Sequence, residues 1–216
     1  MRPSTSRTGL ALAAGVAVLL AAVVVALLTA PSNHRASAPG GSASSGSGSG
    51  SGFDGAALAP GVRAPTFTLR DQSGHQVSLA GARGRVRILA FLSSGCGAAC
   101  VLVAQQIRGA LDQLARPATV LAISVDPAGD TPARVRGFLA GVSLTGRVSY
   151  LGGTRAALAR VWRAYHVNVT GSSSAAVERA STIVLIDASG RERVLFGVEQ
   201  LTPESLAHDI RRLQAG

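Results

Sequence analysis

An α/β layered domain is the fold class that the sequence predicts. Three observations predict it: short, nearly continuous apolar runs that suit buried strands, apolar residues at helical spacing between them, and turn or cap residues at the junctions. Composition allows one such domain plus extras, since the chain has 216 residues, 47% of them hydrophobic and 15% charged. That is too apolar for a disordered protein, and only one run is long enough to cross a bilayer. Two cysteines exclude a disulfide-rich miniprotein and a four-cysteine zinc site.

The elements follow in chain order. Thr66–Leu69 reads as a strand, and Ser73-Gly74 turns it into a second, Gln76–Leu79. Val86–Leu92 is an apolar run broken only by Arg87, which suits a buried strand. From Cys100 to Leu114, Val103, Ile107, Leu111 and Leu114 share one helical face. Thr119–Val125 is a second buried strand, and Thr131-Pro132 is an N-cap followed by proline at the first helical position. Ala156–Tyr165 is a helix with Leu158, Val161, Trp162 and Tyr165 on one face, which makes the single tryptophan a core residue. Thr182–Asp187 and Arg193–Phe196 form a hairpin across Ser189-Gly190, and Thr202-Pro203 caps a last helix, Glu204–Leu213. The order β-α-β-α-α-β-β-α, with a hairpin in front, matches a thioredoxin-like fold with an N-terminal β-hairpin extension over residues 57–216.

Two regions precede that domain. Gly9–Ala30 is uncharged, follows Arg2 and Arg7, and as a helix would be about 33 Å long, enough for a hydrocarbon core of about 30 Å. Residues 1–30 therefore read as a single membrane anchor with its N-terminus in the cytoplasm. A cleaved signal peptide, ending near Ala36-Ser37-Ala38, is the alternative, and its apolar region is normally shorter. Either reading exports the domain. Residues 31–56 are a linker in which Gly and Ser supply 15 of 26 residues, with a reach of about 28 Å.

The net charge of +10 points weakly at nucleic acid. All 21 basic residues are arginine, scattered with no run longer than Arg211-Arg212, and aromatics are only 4%, so no stacking platform for bases is expected. Attraction to anionic lipid headgroups or to an acidic partner remains open.

The chemistry centres on Cys96 and Cys100, in Ser93-Ser94-Gly95-Cys96-Gly97-Ala98-Ala99-Cys100, where a buried strand hands over to a helix. Four residues apart at a helix start, both sulfurs can face one side, where backbone N–H groups and the helix dipole favour a thiolate. Such a pair can close a disulfide, exchange it with another thiol, or hold Cu(I). A purely structural disulfide is the bland alternative, and so short a loop yields only about 2 kcal/mol.

The stretch resembles the CxxxC motif of the Sco/SenC family, exported thioredoxin-fold proteins that help assemble the copper site of cytochrome c oxidase. The resemblance extends through Thr66-Phe67-Thr68-Leu69-Arg70-Asp71-Gln72-Ser73-Gly74, then Ile123-Ser124-Val125-Asp126-Pro127 with Asp130-Thr131-Pro132, then Leu158–Tyr165, and finally Leu185-Ile186-Asp187 with Gly190. It implies copper bound by Cys96 and Cys100, an oxidase subunit or another exported thiol protein as partner, and a place at the cell membrane on the extracytoplasmic side. It also implies a third ligand, a histidine eight residues before Asp187. That position is Arg179, a permanent cation with no lone pair for copper. A cation there would instead favour a cysteine thiolate. Gly97 and Val101 stand where the family usually has proline after each cysteine, and Ser181 stands near the usual cis-proline of the fold.

Other candidates are weaker. His34, His75, His166 and His208 read as surface residues, with His166 the best substitute ligand. Asp126 and Asp130 read as turn-shaping residues rather than paired acids. The functional expectations are copper handling, thiol–disulfide exchange with Cys96 attacking and Cys100 resolving, or both. A thiol peroxidase would rest on Ser93, three residues before Cys96, and lacks the upstream proline.

Overall fold

The computed structural model describes residues 50–81, 84–170, 176 and 180–216. The strands are β1 (Ala56–Ala57), β2 (Thr68–Arg70), β3 (Gln76–Ser78), β4 (Arg87–Leu92), β5 (Thr119–Ser124), β6 (Val148–Leu151), β7 (Thr182–Ile186) and β8 (Glu192–Gly197). The helices are α1 (Ala98–Asp112), α2 (Pro132–Gly141), α3 (Arg155–Ala164) and α4 (Pro203–Ala215). Short 3-10 turns cover Leu79–Gly81 and Val198–Gln200. The segment Gly9–Ala30 and most of the linker lie outside the described residues, among which no helix is long and apolar enough to cross a membrane.

Six strands make one sheet in the order β1-β8-β7-β4-β5-β6, and β2 and β3 form the separate hairpin. β4, β5 and β6 run parallel, with Arg87 opposite Thr119 and Val120 opposite Val148. β7 returns antiparallel to β4, and β8 antiparallel to β7. The parallel strands are joined by helices and are buried, β4 along its whole length, because both sheet faces are covered. The apolar run of β4 holds even at Arg87, which is 2% exposed and donates to the Leu79 carbonyl at 3.1 Å. Trp162 is in the core as its helical face predicts, and its indole N–H donates to the Ser124 carbonyl at 3.0 Å.

Three features differ from the sequence expectation. β6 is a strand between α2 and α3, where the expected order has two consecutive helices; three of its four residues, Val148, Tyr150 and Leu151, are buried. α1 begins at Ala98, so Cys100 lies within its first turn. Packing also begins before residue 57. The Phe53 ring lies 5.8 Å from the Arg193 guanidinium and 5.4 Å from that of Arg212. The N–H groups of Asp54 and Gly55 donate to the fully buried Asp209 carboxylate at 2.9 and 3.0 Å. A Cβ on Gly55 would stand 2.5 Å from Val194 Cγ1, so only glycine lets β1 lie this close to β8.

Candidate functional site

The carboxyl ends of β4, β5 and β6 converge at one pole of the sheet, and the cysteine loop leaves from the end of β4. Gly97 takes φ +75°, a conformation that glycine adopts without steric cost, and turns the chain into α1. Its carbonyl accepts from Val101 N–H at 3.3 Å. Cys96 and Cys100 are joined as a disulfide with a Cα–Cα distance of 5.7 Å, so their sulfurs do face one side. Both residues are buried, at 3% and 1% exposure, although Gly95, Gly97 and Ala98 around them are exposed. The two glycines place no side chain over the loop.

Asp130 anchors this loop. Its Oδ1 accepts from the Ser94 N–H at 2.8 Å, the Ser94 hydroxyl at 2.6 Å and the Ser93 hydroxyl at 3.2 Å. Its Oδ2 accepts from the Ser124 hydroxyl at 2.5 Å and the Tyr150 hydroxyl at 2.7 Å. One carboxylate thus ties the loop after β4 to β5 and β6. Burial, and then the Asp130 charge, push the Tyr150 phenol well above its ordinary pKa, so it stays neutral and remains a donor. The Tyr150 oxygen also lies 3.1 Å from the Leu92 carbonyl, directly before the loop.

Asp126 has the turn role that its sequence position suggests. Its carboxylate accepts from Gly129 N–H at 3.1 Å, and its carbonyl accepts from Asp130 N–H at 2.9 Å. A Cβ on Gly129 would fall 2.1 Å from Asp126 Oδ2, so any larger residue would push that carboxylate from its place in the turn. Thr131 caps α2 through Arg134 N–H at 3.3 Å, with Pro132 at the first helical position. Asp130 does more than shape the turn: sequence spacing placed it near a helix start, and the sheet brings it under the cysteine loop. Ser94, Ser124 and Tyr150 escaped notice because their shared partner is distant in sequence and β6 was not expected.

Arg179 lies outside the described residues. The cation that the structure does place by the loop is Arg134. Its Nη1 donates to the Gly129 carbonyl at 3.4 Å and lies 3.7 Å from where a Gly95 Cβ would be. The described histidines do not join the cysteines. His75 pairs with Asp71 at 3.4 Å in the hairpin turn. His208 stands 3.2 Å from Asp54 and 3.0 Å from Asp209. His166 follows α3 at φ +55° and acts electrostatically on Glu192, at the amino end of β8 and the far pole from the cysteines. Among the described residues, the one gathering of ligand-type side chains is Asp54, His208 and Asp209, which contains neither cysteine. The donor set described at the site is therefore two sulfurs, which in the reduced state are soft ligands suited to Cu(I).

Similarity to known proteins agrees with this architecture. Yeast Sco1 superposes with a TM-score of 0.61 at 20% identity, covering 73% of this chain and 98% of that one. Bradyrhizobium japonicum ScoI with copper bound gives 0.52 at 24% identity, covering 70% and 99%. BsSco, described with a disulfide switch and as a member of the Sco family of cytochrome c oxidase assembly proteins, gives 0.58 at 20% identity, covering 70% and 93%. These likenesses establish the Sco-type α/β fold. No curated protein matches the sequence. The SCO1/SenC family model matches residues 57–215, the hairpin, sheet, cysteine loop and last helix together, and on that match the chain belongs to the SCO1/SenC family.

Proposed function

We propose that the protein is a membrane-tethered, extracytoplasmic assembly factor that serves the copper site of cytochrome c oxidase through Cys96 and Cys100. The observation that carries this is the cysteine pair, closed as a disulfide at a strand-to-helix junction of a SCO1/SenC domain. In the redox step the Cys96 thiolate of the reduced pair attacks a disulfide sulfur of the partner. The partner's S–S bond breaks, a mixed disulfide forms on Cys96, and the released partner sulfur leaves as a thiolate that takes up a proton. The Cys100 thiolate then attacks Cys96 Sγ, and the second partner sulfur leaves as a thiolate. This leaves the partner reduced by two electrons to a dithiol and the protein with the Cys96–Cys100 disulfide. Reduced, the pair offers two thiolates to Cu(I) as cargo.

A second reading is thiol–disulfide exchange without copper. What favours it is that no histidine among the described residues stands with the cysteines. A Cu(I) competition titration of the reduced chain, beside a Cys96→Ser/Cys100→Ser control, separates the two. Tight cysteine-dependent binding supports copper handling. Binding no better than the control removes it and leaves exchange, which a metal-free redox titration measures directly.

A further inference from the structure

The pole opposite the cysteines is arginine-rich, and the chain enters the domain there. It comprises the amino ends of β4 and β5, the β7–β8 turn and the carboxyl end of α4. Ile186 pairs with Arg87 in the sheet, and Arg116 donates to the Gln214 carbonyl. Exposed Arg63, Arg85, Arg116, Arg191, Arg211 and Arg212 gather at this pole. Among the described residues no carboxylate lies within ion-pair distance of these six; the pairs that form use other cations. The carboxylates nearby are engaged or half-buried. Asp187 accepts from Ser189, the Arg191 N–H and Arg193, Asp112 pairs with Arg108 and Arg147, and Glu192 is half-buried. Val62, beside Arg63, is 44% exposed.

Two independent facts fix the occupant. The first is charge: six uncompensated guanidinium groups around an exposed valine suit an anionic, partly apolar surface. The second is where the rest of the chain attaches. Residues 51–53 are held at this pole, with the Ser51 carbonyl accepting from Arg212 and the Phe53 ring between Arg193 and Arg212. The preceding sequence carries the apolar stretch Gly9–Ala30.

We propose that this pole docks on the anionic phospholipid headgroups of the membrane, so that the Cys96–Cys100 loop faces away from the bilayer. The inference rests on reading Gly9–Ala30 as an anchor. It makes the protein an oriented platform rather than a freely tumbling one. The partner it fits is one whose thiols stand out from the membrane by about the height of the domain.

The test is hydrogen exchange on the full chain in vesicles of phosphatidylcholine alone and in vesicles one-third phosphatidylglycerol. The expected result is extra protection at residues 60–64, 187–193 and 211–216 on the anionic vesicles only, lost when salt shortens the Debye length to about 3 Å. Arg63→Gln/Arg85→Gln/Arg191→Gln should lower that protection about fivefold per arginine and about a hundredfold together. Arg70→Gln/Arg136→Gln/Arg160→Gln removes the same charge elsewhere and should leave it intact. Equal losses in both triple variants, protection on both vesicle types, or equal protection by a mixed-sequence DNA duplex would overturn the proposal. A full chain that floats free of phosphatidylcholine vesicles defeats the anchor instead, and the pole is then judged on its preference for anionic vesicles.

Discussion

Replacing Asp130 distinguishes a scaffold that holds the cysteine loop from a merely decorative turn residue. Alanine at this position removes the acceptor of four hydroxyls and one N–H at once. Ser93, Ser124 and Tyr150 are buried, so water does not readily replace the acceptor. One buried hydroxyl has a fallback: Tyr150 can turn to the Leu92 carbonyl at 3.1 Å, whereas Ser93 only accepts from the Gly95 N–H and loses the acceptor of its own O–H. Ser93, Ser124 and the Ser94 N–H keep the larger penalty, and a buried donor left without a partner costs about 1–3 kcal/mol. The expected destabilisation of Asp130→Ala is therefore about 3 kcal/mol. For a domain of this size that lowers the Tm by roughly 6–12 °C. Asparagine should cost less, about 1 kcal/mol, because its oxygen can face the three Oδ1 donors while the Ser124 and Tyr150 hydroxyls rotate to accept from its amide. Circular dichroism melts with the disulfide intact give the stabilities, and exchange with a small thiol gives the freedom of the loop. An Asp130→Ala melt within a degree of the parent, or an Asn variant less stable than the Ala variant, would refute the network as the support of the loop.

Further outcomes follow from other contacts. Cys96→Ser/Cys100→Ser should lose about 2 kcal/mol, the chain-entropy value for so short a loop, in a urea melt; a loss of twice that or more would favour a mainly structural disulfide. Gly55→Ala should cost about 1–3 kcal/mol by overpacking, since its Cβ would meet Val194 and Phe196 at 2.5 and 2.8 Å, and a melt unchanged by it would mean that β1 shifts freely. Burial raises the Asp187 pKa, but hydrogen bonds from Ser189, the Arg191 N–H and Arg193 outweigh it and hold the carboxyl below its ordinary value of 3.8. Its contribution is thus present above about pH 4 and lost as pH falls through the lowered value, so Asp187→Asn should flatten the acid limb of a stability–pH curve. Both tyrosines of the chain are raised, Tyr150 by burial and Asp130, Tyr165 by burial and Glu192. Native stability should therefore fall above about pH 10, where the unfolded chain ionises first, and tyrosinate absorbance should appear together with unfolding.

Much of this molecule was legible because its signals are local. The run around β4, the face shared by Val103 and Ile107, and the Thr-Pro caps of α2 and α4 each declare an element within a few residues, and each is present. β6 was not legible, since Val148-Ser149-Tyr150-Leu151 is short enough that its pairing with β5, rather than its own pattern, makes it a strand. β1 is further from legible: two alanines have little strand preference, and they are strand only because Ala56 and Ala57 pair with Leu195 and Val194 of β8, while Asp54 and Gly55 just before them are held by Asp209. The burial of Arg87 is tertiary in the same way, through a carbonyl that the hairpin brings to it.

The site divides along the same line, and the division bears on how it works. Cys96 and Cys100 could be picked out because their chemistry is written in their spacing. What holds them could not, because Asp130 collects groups from the ends of three strands that meet only in the folded sheet. The parallel arrangement makes this support cooperative: the loop after β4 acquires its anchor only when β5 and β6 are in register beside it. Anchoring of this kind predicts that the pair keeps its geometry when the disulfide opens, because Asp130 fixes Ser93 and Ser94 from below independently of the S–S bond. Preorganisation of that kind suits a dithiol that must receive a small cation or a partner sulfur without first ordering its own loop. It predicts that Asp130→Ala slows re-formation of the disulfide from the dithiol more than it slows the first attack on the oxidised form. Stopped-flow measurement of the two steps would show equal slowing if the loop were ordered by the S–S bond alone.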